Sequence, residues 1–231
     1  MTSLGVDTST RPTSLDAGYD KRLMITSGRA SLDLATKIAG RLGVSLTNAG
    51  LKTFTDGEVY CRYQESIRGA DLFIVQSISG SEREGLTVND ALMELLVMIH
   101  AAKHASAHRI IAVTPWYGYS RQDKKSAPRE PITARLVAEL LEAAGIDRLV
   151  TMDLHAGQMQ GFFSKPVDHM TAMPILTQFL QDQFESEDIV IIAPDAGRVK
   201  LVRKFAQKVG APYALLEKER PAQQVAEIGY V

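Results

Sequence analysis

The chain has 231 residues, 45% of them hydrophobic, which is enough to build one large core or two modest ones. Its 26 lysine and arginine residues balance 27 aspartate and glutamate residues, so the net charge gives no reason to expect nucleic acid or an anionic membrane as a partner. A single cysteine, Cys61, excludes an internal disulfide framework and fits a reducing compartment. No segment has the apolar length of a membrane span. We therefore expect a cytoplasmic protein that binds neither nucleic acid nor membranes.

The N-terminal segment differs in composition from the rest of the chain. Met1–Asp20 is rich in serine, threonine, glycine and aspartate, and it lacks the basic start and apolar run of an export signal. We interpret residues 1–20 as a disordered tail, because such a composition cannot bury enough apolar surface to order itself. The ordered chain is expected to begin at Lys21.

From Lys21 onward, short apolar runs alternate with segments of helical periodicity. The expected strands are Lys21–Ser27, Val59–Tyr63 (with Cys61 buried), Asp71–Ser77, Arg109–Thr114, Leu149–Met152, Ile189–Ala193 and Tyr213–Leu216. The expected helices start near Ser31 (the N-cap), Val88 and Pro131, and span Pro174–Phe184 and Val199–Val209. Strands that alternate with helices of this length form a mostly parallel sheet with right-handed crossovers. The pattern predicts an α/β fold.

A change in this alternation indicates two domains. A run of about six elements precedes Phe162–Pro166 and a shorter run follows it, so we place the boundary there and expect domains at 21–164 and 165–231. The second domain then has only two predicted helices and two predicted strands. So small a sheet buries little surface and leaves an open edge at Tyr213–Leu216. We expect this second domain to be incomplete.

Four of the predicted strands are followed by unusual polar clusters. These clusters are Arg121, Lys124, Lys125 and Arg129 after Arg109–Thr114, Asp153 and His155 after Leu149–Met152, Asp195 and Arg198 after Ile189–Ala193, and Glu217–Arg220 after Tyr213–Leu216. In open α/β sheets, ligands bind at the carboxyl ends of the strands. One such cluster is usually a solvated loop, whereas we expect these four to share one sheet edge. Together they indicate a site for a polyphosphate and its metal ion.

These clusters and their neighbours resemble the ribose-phosphate diphosphokinase family, also called phosphoribosyl-diphosphate synthetase. The matching segments are Phe54–Glu58, Asn89–Met98, Tyr117–Asp123, Arg129–Ile132, Asp153–Phe163, Pro194–Gly197 and Lys218–Arg220. The resemblance implies two phosphoribosyltransferase-type α/β domains with parallel sheets, in agreement with the alternation above. It also implies transfer of the diphosphoryl group of ATP to O1 of ribose 5-phosphate, which yields 5-phosphoribosyl 1-diphosphate and AMP for nucleotide biosynthesis.

The resemblance also implies roles for individual residues, which fall into four groups. His155 and Asp195 match the family's Mg²⁺ positions, and Arg121 and Gln122 match its ATP contacts. Phe54, Asp56, Gly57 and Glu58 match a loop that completes the adenine pocket of a neighbouring subunit. Lys218 and Arg220 match a mobile catalytic pair that closes over the phosphates. The resemblance suggests a hexamer built from dimers.

Two other interpretations stay open. The family's ribose-phosphate segment, an acidic pair followed by a Thr/Gly turn on a later strand, is not found before Val231. We therefore expect a chain shorter than the whole enzyme, without diphosphoryl transfer of its own, and a non-catalytic regulatory homologue is the first alternative. The second alternative is a phosphoribosyltransferase that consumes the product. The loop that contains Arg121 weighs against it, because such enzymes have no ATP to bind.

The histidines outside these segments give weaker signals. His100, His104 and His108 recur every four residues, and two histidines at that spacing can bind Zn²⁺. No carboxylate or cysteine is arranged with them, and histidine also suits a helix C-terminus, so we interpret them as surface or capping residues. His169 follows Asp168 in an expected turn, and we assign it no role.

Overall fold

A computed structural model of the chain describes residues 22–185, 188–219 and 227–230, with only the backbone described at 217–219 and 227–230. The predicted tail, residues 1–20, lies outside the described residues. The chain divides into two compact units, Met1–His169 and Met170–Val231. Within the described ranges, none of the helices combines the length and the apolar character needed to cross a bilayer.

The first unit is built on a parallel sheet. Its strands are β1 (Leu23–Ser27), β2 (Leu46–Thr47), β3 (Lys52–Thr53), β4 (Val59–Tyr60), β5 (Asp71–Val75), β6 (Arg109–Thr114), β7 (Arg148–Met152) and β8 (Val167–Met170). Six of them form one sheet in the order β2-β1-β5-β6-β7-β8, and the pairs from β2 to β7 are parallel. Strands β3 and β4 form a separate antiparallel hairpin. The predicted α/β fold with a parallel sheet is confirmed.

Three α-helices cover this sheet: α1 (Leu32–Leu42), α2 (Val88–His104) and α3 (Thr133–Ala144). Helix α2 begins with a capping box, in which the Thr87 hydroxyl accepts from the Asp90 N–H and the Asp90 carboxylate accepts from the Thr87 N–H. The prediction that the Ser31 side chain caps α1 is wrong. A 3-10 turn leads into that helix, and the Ser31 hydroxyl accepts instead from the backbone N–H of Ser77 at 2.8 Å.

Apolar residues fill both faces of the sheet, because successive residues of a strand point to opposite faces. The larger core joins one face to helices α2 and α3 and contains Leu72, Ile74, Leu95, Met98, Leu141 and Leu149. A smaller core on the other face joins α1 to β1 and β5 and contains Ile25, Ala35, Ala39 and Val75. Each large side chain that is fully buried contributes about 1.5–3 kcal/mol to folding. This packing holds the carboxyl edge of the sheet in place.

The segment Val59–Tyr63 departs from its prediction as one half-buried strand with Cys61 at a buried position. Only Val59–Tyr60 is a strand, and it pairs with β3 outside the main sheet. Cys61 follows it, is half-buried, and directs its thiol toward the Ala49 carbonyl at 3.4 Å. The chain leaves the hairpin at this point because the backbone of Arg62 bonds to that same carbonyl, at 2.9 Å.

The second unit has its own small sheet. Helices α4 (Met173–Gln183) and α5 (Val199–Val209) accompany the parallel strands β9 (Ile191–Ala193) and β10 (Tyr213–Leu215), as the sequence predicted. An antiparallel ribbon, formed by β11 (Glu217–Glu219) and β12 (Glu227–Tyr230), was not predicted. Its strands are short and contain charged residues, so they show no hydrophobic pattern.

Candidate active site

The carboxyl ends of β6 and β7 are neighbours, and each continues into a polar loop. Thr114 and Thr151 are register partners on these two strands. We name the segment 115–132 the β6 loop and the segment 153–163 the β7 loop. The ring of Tyr117 in the β6 loop meets the ring of Phe163 in the β7 loop edge to face, with centroids 6.0 Å apart. The structure therefore brings two of the four predicted polar clusters into adjacent, touching loops.

The start of the β6 loop is fixed in the core. Tyr117 is only 3% exposed, and its hydroxyl donates to the Ala134 carbonyl of α3 at 2.9 Å. Burial raises the pKa of this phenol well above its ordinary value, so it stays a neutral donor. A side chain at Gly118 would place its Cβ 2.4 Å from Cγ2 of Ile78. Only glycine fits there, because the loop backbone packs directly against the chain that follows β5.

The next residues of the β6 loop tie it to two helices. Tyr119 adopts a left-handed conformation with φ 63°, and its hydroxyl bonds to the side chain of Asn89 on α2. The Gln122 carbonyl accepts from the Ala134 N–H at 3.2 Å, and Oε1 of Gln122 accepts from the Thr133 hydroxyl at 2.5 Å. These bonds satisfy donors at the start of α3. The predicted nucleotide-contact residue Gln122 therefore also orders the N-terminus of that helix.

The remainder of the β6 loop is basic and exposed. Arg121 is exposed, as are Lys124, Lys125 and Arg129. Glu130 closes the loop, since its carboxylate accepts from the backbone N–H groups of Ser126 and Ala127 at 2.7 and 2.8 Å. The bonds from Ala127 and Ser126 hold the pKa of Glu130 below its usual range. An acidic residue thus shapes a loop whose other charged side chains are mostly positive, a combination suited to phosphate binding.

The β7 loop begins with an unusual backbone conformation. Asp153 has φ 45°, in the left-handed region, which costs a non-glycine residue about 1 kcal/mol or more. Leu154 is buried, whereas Asp153 and His155 on either side of it are exposed. Burying Leu154 and turning at Asp153 leaves both polar side chains on the surface at the sheet edge.

His169 supports this loop, and the sequence analysis missed it. Its Nε2 accepts from the backbone N–H of Leu154 at 3.0 Å, although the two residues are 15 apart in sequence. The prediction of a turn at Asp168 and His169 is wrong, because both lie in β8 beside β7. Asp168 accepts from one Nη of Arg148 with both oxygens, at 2.7 and 2.9 Å, which joins the two strands. The residues of β8 read apolar, polar, polar, apolar, so they show no alternation that would indicate a strand.

The polar side chains at this edge suit a magnesium ion whose other ligands are water molecules and substrate phosphates. Among the described residues, no three His, Cys, Asp or Glu side chains are grouped closely enough to hold a metal ion alone. Mg²⁺ keeps several waters and is usually held by one or two carboxylates together with substrate phosphates. A carboxylate at Asp153 and an imidazole at His155 fit that sparse protein contribution, although imidazole is an unusual ligand for so hard a cation.

The segment Phe54–Glu58 forms the tip of the β3–β4 hairpin. The Phe54 N–H donates to the Glu58 carbonyl at 2.8 Å, and the Gly57 N–H donates to the Phe54 carbonyl at 3.0 Å. Gly57 has φ 94°, which a side chain would strain, and Asp56 accepts from the Glu58 N–H at 3.1 Å. Phe54 stays 49% exposed while its ring packs edge to face on Tyr60. The hairpin therefore presents an aromatic surface to solvent.

The other predicted site residues belong to the second unit. The prediction that all four polar clusters share one sheet edge is wrong, because β6 and β7 belong to the six-stranded sheet and β9 and β10 to a separate one. Asp195 follows β9, and its Oδ1 would lie 3.1 Å from a Cβ added at Gly197. Lys218 lies in β11, where only the backbone is described, and Arg220 lies outside the described residues.

The histidines in and just after α2 do not form a metal site among the described residues, and the single cysteine is not an activated nucleophile. His100 and His104 approach each other through Nε2 atoms 3.1 Å apart, and His108 pairs with Asp71 at 2.7 Å. All three histidines are exposed, near or just past the end of the helix. Burial, and then the negative charge of Glu94, raise the pKa of the Cys61 thiol to about 11. The thiol is therefore a poor nucleophile at neutral pH.

Comparisons with known proteins give the family. A family model for the N-terminal domain of ribose phosphate pyrophosphokinase matches residues 23–145. The chain is 48% identical over 212 residues to ribose-phosphate pyrophosphokinase of Caldanaerobacter subterraneus subsp. tengcongensis, covering 92% of this chain and 65% of that protein. It is 47% identical over 205 residues to the protein of the same name from Fusobacterium nucleatum, covering 88% and 63%. The chain thus spans just under two thirds of the length of these relatives.

The fold agrees with a solved structure. Phosphoribosylpyrophosphate synthetase from Mycobacterium smegmatis matches with a TM-score of 0.80 and 43% identity, over 90% of this chain and 67% of that chain. The sequence match of the N-terminal domain model extends over more than half of the chain. The touching β6 and β7 loops lie at the carboxyl edge of the sheet, where such folds bind ligands. The chain belongs to the ribose-phosphate pyrophosphokinase family.

Proposed function

We propose that the protein serves the reaction that gives its family its name, the transfer of the diphosphoryl group of ATP to O1 of ribose 5-phosphate. The products are 5-phosphoribosyl 1-diphosphate and AMP, for nucleotide biosynthesis. The observation that carries the proposal is the contact between the β6 and β7 loops, through Tyr117 and Phe163, at the carboxyl edge of the sheet. This contact joins the basic segment that contains Arg121 to the edge that carries His155.

In this proposal the β6 loop binds the nucleotide. Arg121 and Gln122 contact ATP, and the neighbouring lysines add positive charge near the phosphates. The loop is suited to this task because its start is fixed by Tyr117 while Arg121 stays exposed. A fixed backbone reduces the conformational entropy lost when the side chain binds phosphate.

His155 and Asp195 are the residues that we propose to hold Mg²⁺ with the phosphates of ATP. When bound, the ion supplies neutralisation of charge on the transferring group. The contribution of the first unit is to orient the imidazole of His155. Leu154 is buried beside His155, and its N–H bond to His169 fixes the turn from which the imidazole projects.

The chemical step needs positioning and charge neutralisation more than a covalent nucleophile. The anomeric hydroxyl of ribose 5-phosphate attacks the β-phosphorus of ATP, and AMP leaves with the bond between the α-phosphate and the β-phosphate broken. We propose Lys218 and Arg220 as the catalytic cations that close over the phosphates. Such groups lower the barrier when they interact with the transition state more strongly than with the bound substrates.

The exposed hairpin tip supports self-association in this proposal. Phe54, Asp56, Gly57 and Glu58 complete the adenine site of a neighbouring subunit, in an assembly that we propose to be a hexamer in the cytoplasm. The 49% exposure of the Phe54 ring is the observation behind it, because an aromatic side chain on a hairpin tip is available to stack on a purine.

Two measurements test the proposal. Calorimetry of the 231-residue chain with ATP and Mg²⁺ should show binding, and Arg121→Ala should weaken it about tenfold or more, since it removes a charge-assisted phosphate contact. Arg41→Ala, at the exposed end of α1, is the matched control and should leave binding unchanged. AMP release on addition of ribose 5-phosphate is a separate measurement, since we expect these 231 residues to bind ATP without transferring its diphosphoryl group. Absence of ATP binding, or equal binding by the Arg121 variant, would refute the nucleotide site.

A further inference from the structure

A buried carboxylate lies beneath the hairpin that carries Phe54. Glu94 of α2 is 0% exposed. Its oxygens accept from the backbone N–H of Arg29 at 2.7 Å, from Nε of Arg29 at 2.6 Å and from Nε2 of Gln76 at 3.1 Å. A buried carboxylate that accepts three hydrogen bonds is held in one orientation, and losing a partner would leave its charge uncompensated. Glu94 therefore fixes the position of Arg29.

The packing around this carboxylate leaves little freedom. Arg29 follows the carboxyl end of β1, and Gln76 follows that of the neighbouring β5. A Cβ added to Gly28 would lie 2.4 Å from the side-chain carboxamide of Gln76, so the Gly28 backbone and the Gln76 side chain approach as closely as a glycine allows. Gln76 is itself fully buried. Both strands thus contribute to placing the Arg29 guanidinium.

The outer side of the guanidinium reaches the hairpin. While Nε of Arg29 bonds to Glu94, its Nη2 donates to Oγ1 of Thr53 at 2.8 Å. Thr53 is the last residue of β3 and directly precedes Phe54. The Arg29 side chain is 25% exposed, so the bond to Thr53 is partly shielded from water. A planar guanidinium can hold two acceptors in fixed directions, which a lysine ammonium cannot do at the same geometry.

Other contacts hold the hairpin at its open end, where Leu51 before β3 and Cys61 after β4 pack against the larger core. Among the residues that the structure describes, β3 and β4 pair with each other and not with the main sheet, and each has two residues. A two-stranded hairpin is marginally stable by itself in water, so its orientation depends on contacts with the rest of the unit. The bond from Arg29 to Thr53 joins the end of β3 next to the tip to a carboxylate buried in the core.

We propose that Arg29 is a positioning residue that orients the Phe54–Glu58 tip for nucleotide binding, by coupling Thr53 to the buried carboxylate of Glu94. The nucleotide part rests on the proposed function, in which this tip completes an adenine site. The coupling itself rests only on the contacts among Arg29, Glu94 and Thr53.

Two substitutions separate the coupling from general stability. Arg29→Lys keeps a positive charge for Glu94 but loses the second donor direction, and Thr53→Val removes the hydroxyl at nearly unchanged volume. The matched controls are Arg22→Lys, whose arginine pairs with Glu65 on the surface, and Thr36→Val, whose hydroxyl bonds within α1. The thermal midpoint of each variant establishes that it is folded.

Hydrogen exchange tests the coupling without any ligand. In the 231-residue chain, amides of the segment 52–60 should exchange about fivefold faster in Arg29→Lys and in Thr53→Val, the effect of losing one hydrogen bond. The double variant should exchange no faster than the faster single variant, because both changes remove the same contact. Unchanged exchange in either variant, or additive effects in the double variant, would overturn the coupling.

Calorimetry with ATP and Mg²⁺ tests the nucleotide part. Both variants should bind ATP several-fold more weakly than the unaltered chain, and the two controls should bind as the unaltered chain does. Binding at full affinity despite faster exchange of the hairpin would overturn the link to the nucleotide. If the unaltered chain does not bind ATP, the proposed function and that link both fail, whereas the exchange experiment still decides whether Arg29 orients the hairpin.

Discussion

The β6 loop and the β3–β4 hairpin both carry proposed nucleotide contacts, but they are held in opposite ways. The β6 loop is fixed from within, by a buried tyrosine and by a glycine against the core backbone. The hairpin tip bonds chiefly to itself, and Arg29 bonds to Thr53 directly beside it. The difference indicates that removing core contacts of the β6 loop will cost stability, whereas changes at the hairpin tip will cost little stability and, by the proposed function, will weaken nucleotide binding.

The largest effect is expected at Gly118. Replacing it with alanine places a methyl group 2.4 Å from Cγ2 of Ile78 and 2.7 Å from the Ile78 carbonyl, so the backbone must move. We expect Gly118→Ala to lower the free energy of unfolding by about 2–3 kcal/mol in urea titrations. Gly157→Ala is the control, because nothing lies within 4 Å of its added Cβ. Equal stability of the two variants would show that the β6 loop is not fixed by this close approach.

Cys61 provides a reporter next to the hairpin. Its pKa rises from 9.0 to about 11 in the folded chain, first through burial and then through Glu94. Each pKa unit changes the thiolate fraction tenfold, so at pH 8 the folded chain should react about a hundredfold more slowly with a disulfide reagent than the chain unfolded in guanidinium. The contribution of the neutral thiol to stability is complete below about pH 9 and is lost as the pH rises toward 11. Similar rates for the two states would contradict this.

A smaller effect is expected at His169, which supports the β7 loop. His169→Ala leaves the Leu154 N–H without its acceptor and should lower the free energy of unfolding by about 1 kcal/mol. The Leu154 amide, followed by NMR, should then exchange about fivefold faster with solvent. His169→Gln can place an acceptor oxygen near the position of Nε2 and should restore most of the protection. If protection at Leu154 is the same in all three chains, the bond does not hold the loop.

The smallest effect on stability is expected at Phe54. Because its ring is 49% exposed, Phe54→Ala should change the free energy of unfolding by no more than about 0.5 kcal/mol. By the proposed function it should nevertheless weaken ATP binding about tenfold, through loss of stacking on the base. Phe184→Ala, which removes a ring that is 50% exposed in the second unit, is the control for both measurements. A large loss of stability would mean that the hairpin tip is structural.

The sequence predicted the elements with strong periodicity and missed those that depend on pairing. Arg109–Thr114 and Val199–Val209 match their predicted bounds, because an apolar run that ends at a proline and an amphipathic repeat are local signals. Strands β2 and β3 have two residues each, too few to show a period. The error of placing four polar clusters at one edge arose because hydrophobic patterns do not reveal which strands pair.

The side chains that support the candidate site were the hardest to predict. The bond from Leu154 to His169 joins residues 15 apart, and the bond from Arg29 to Glu94 joins residues 65 apart. Neither pair has a spacing that a motif could recognise, since the contacts arise only after neighbouring strands and a helix have packed. The motif segments themselves, such as Asp153–Phe163, were recognisable because they belong to one continuous stretch.

The edge-to-face contact between Tyr117 and Phe163 links the two loops thermodynamically. A ligand that changes how Tyr117 packs also changes the contact with Phe163, and hence acts on the segment that begins at Asp153. Linkage is reciprocal. If nucleotide bound at its proposed site raises the affinity at the β7 loop by some factor, a ligand at the β7 loop must raise the affinity for nucleotide by the same factor. An aromatic pair of this kind contributes about 0.5–1.5 kcal/mol, which limits the cooperativity carried by the contact to about tenfold. Phe163→Ala would abolish that share of the cooperativity.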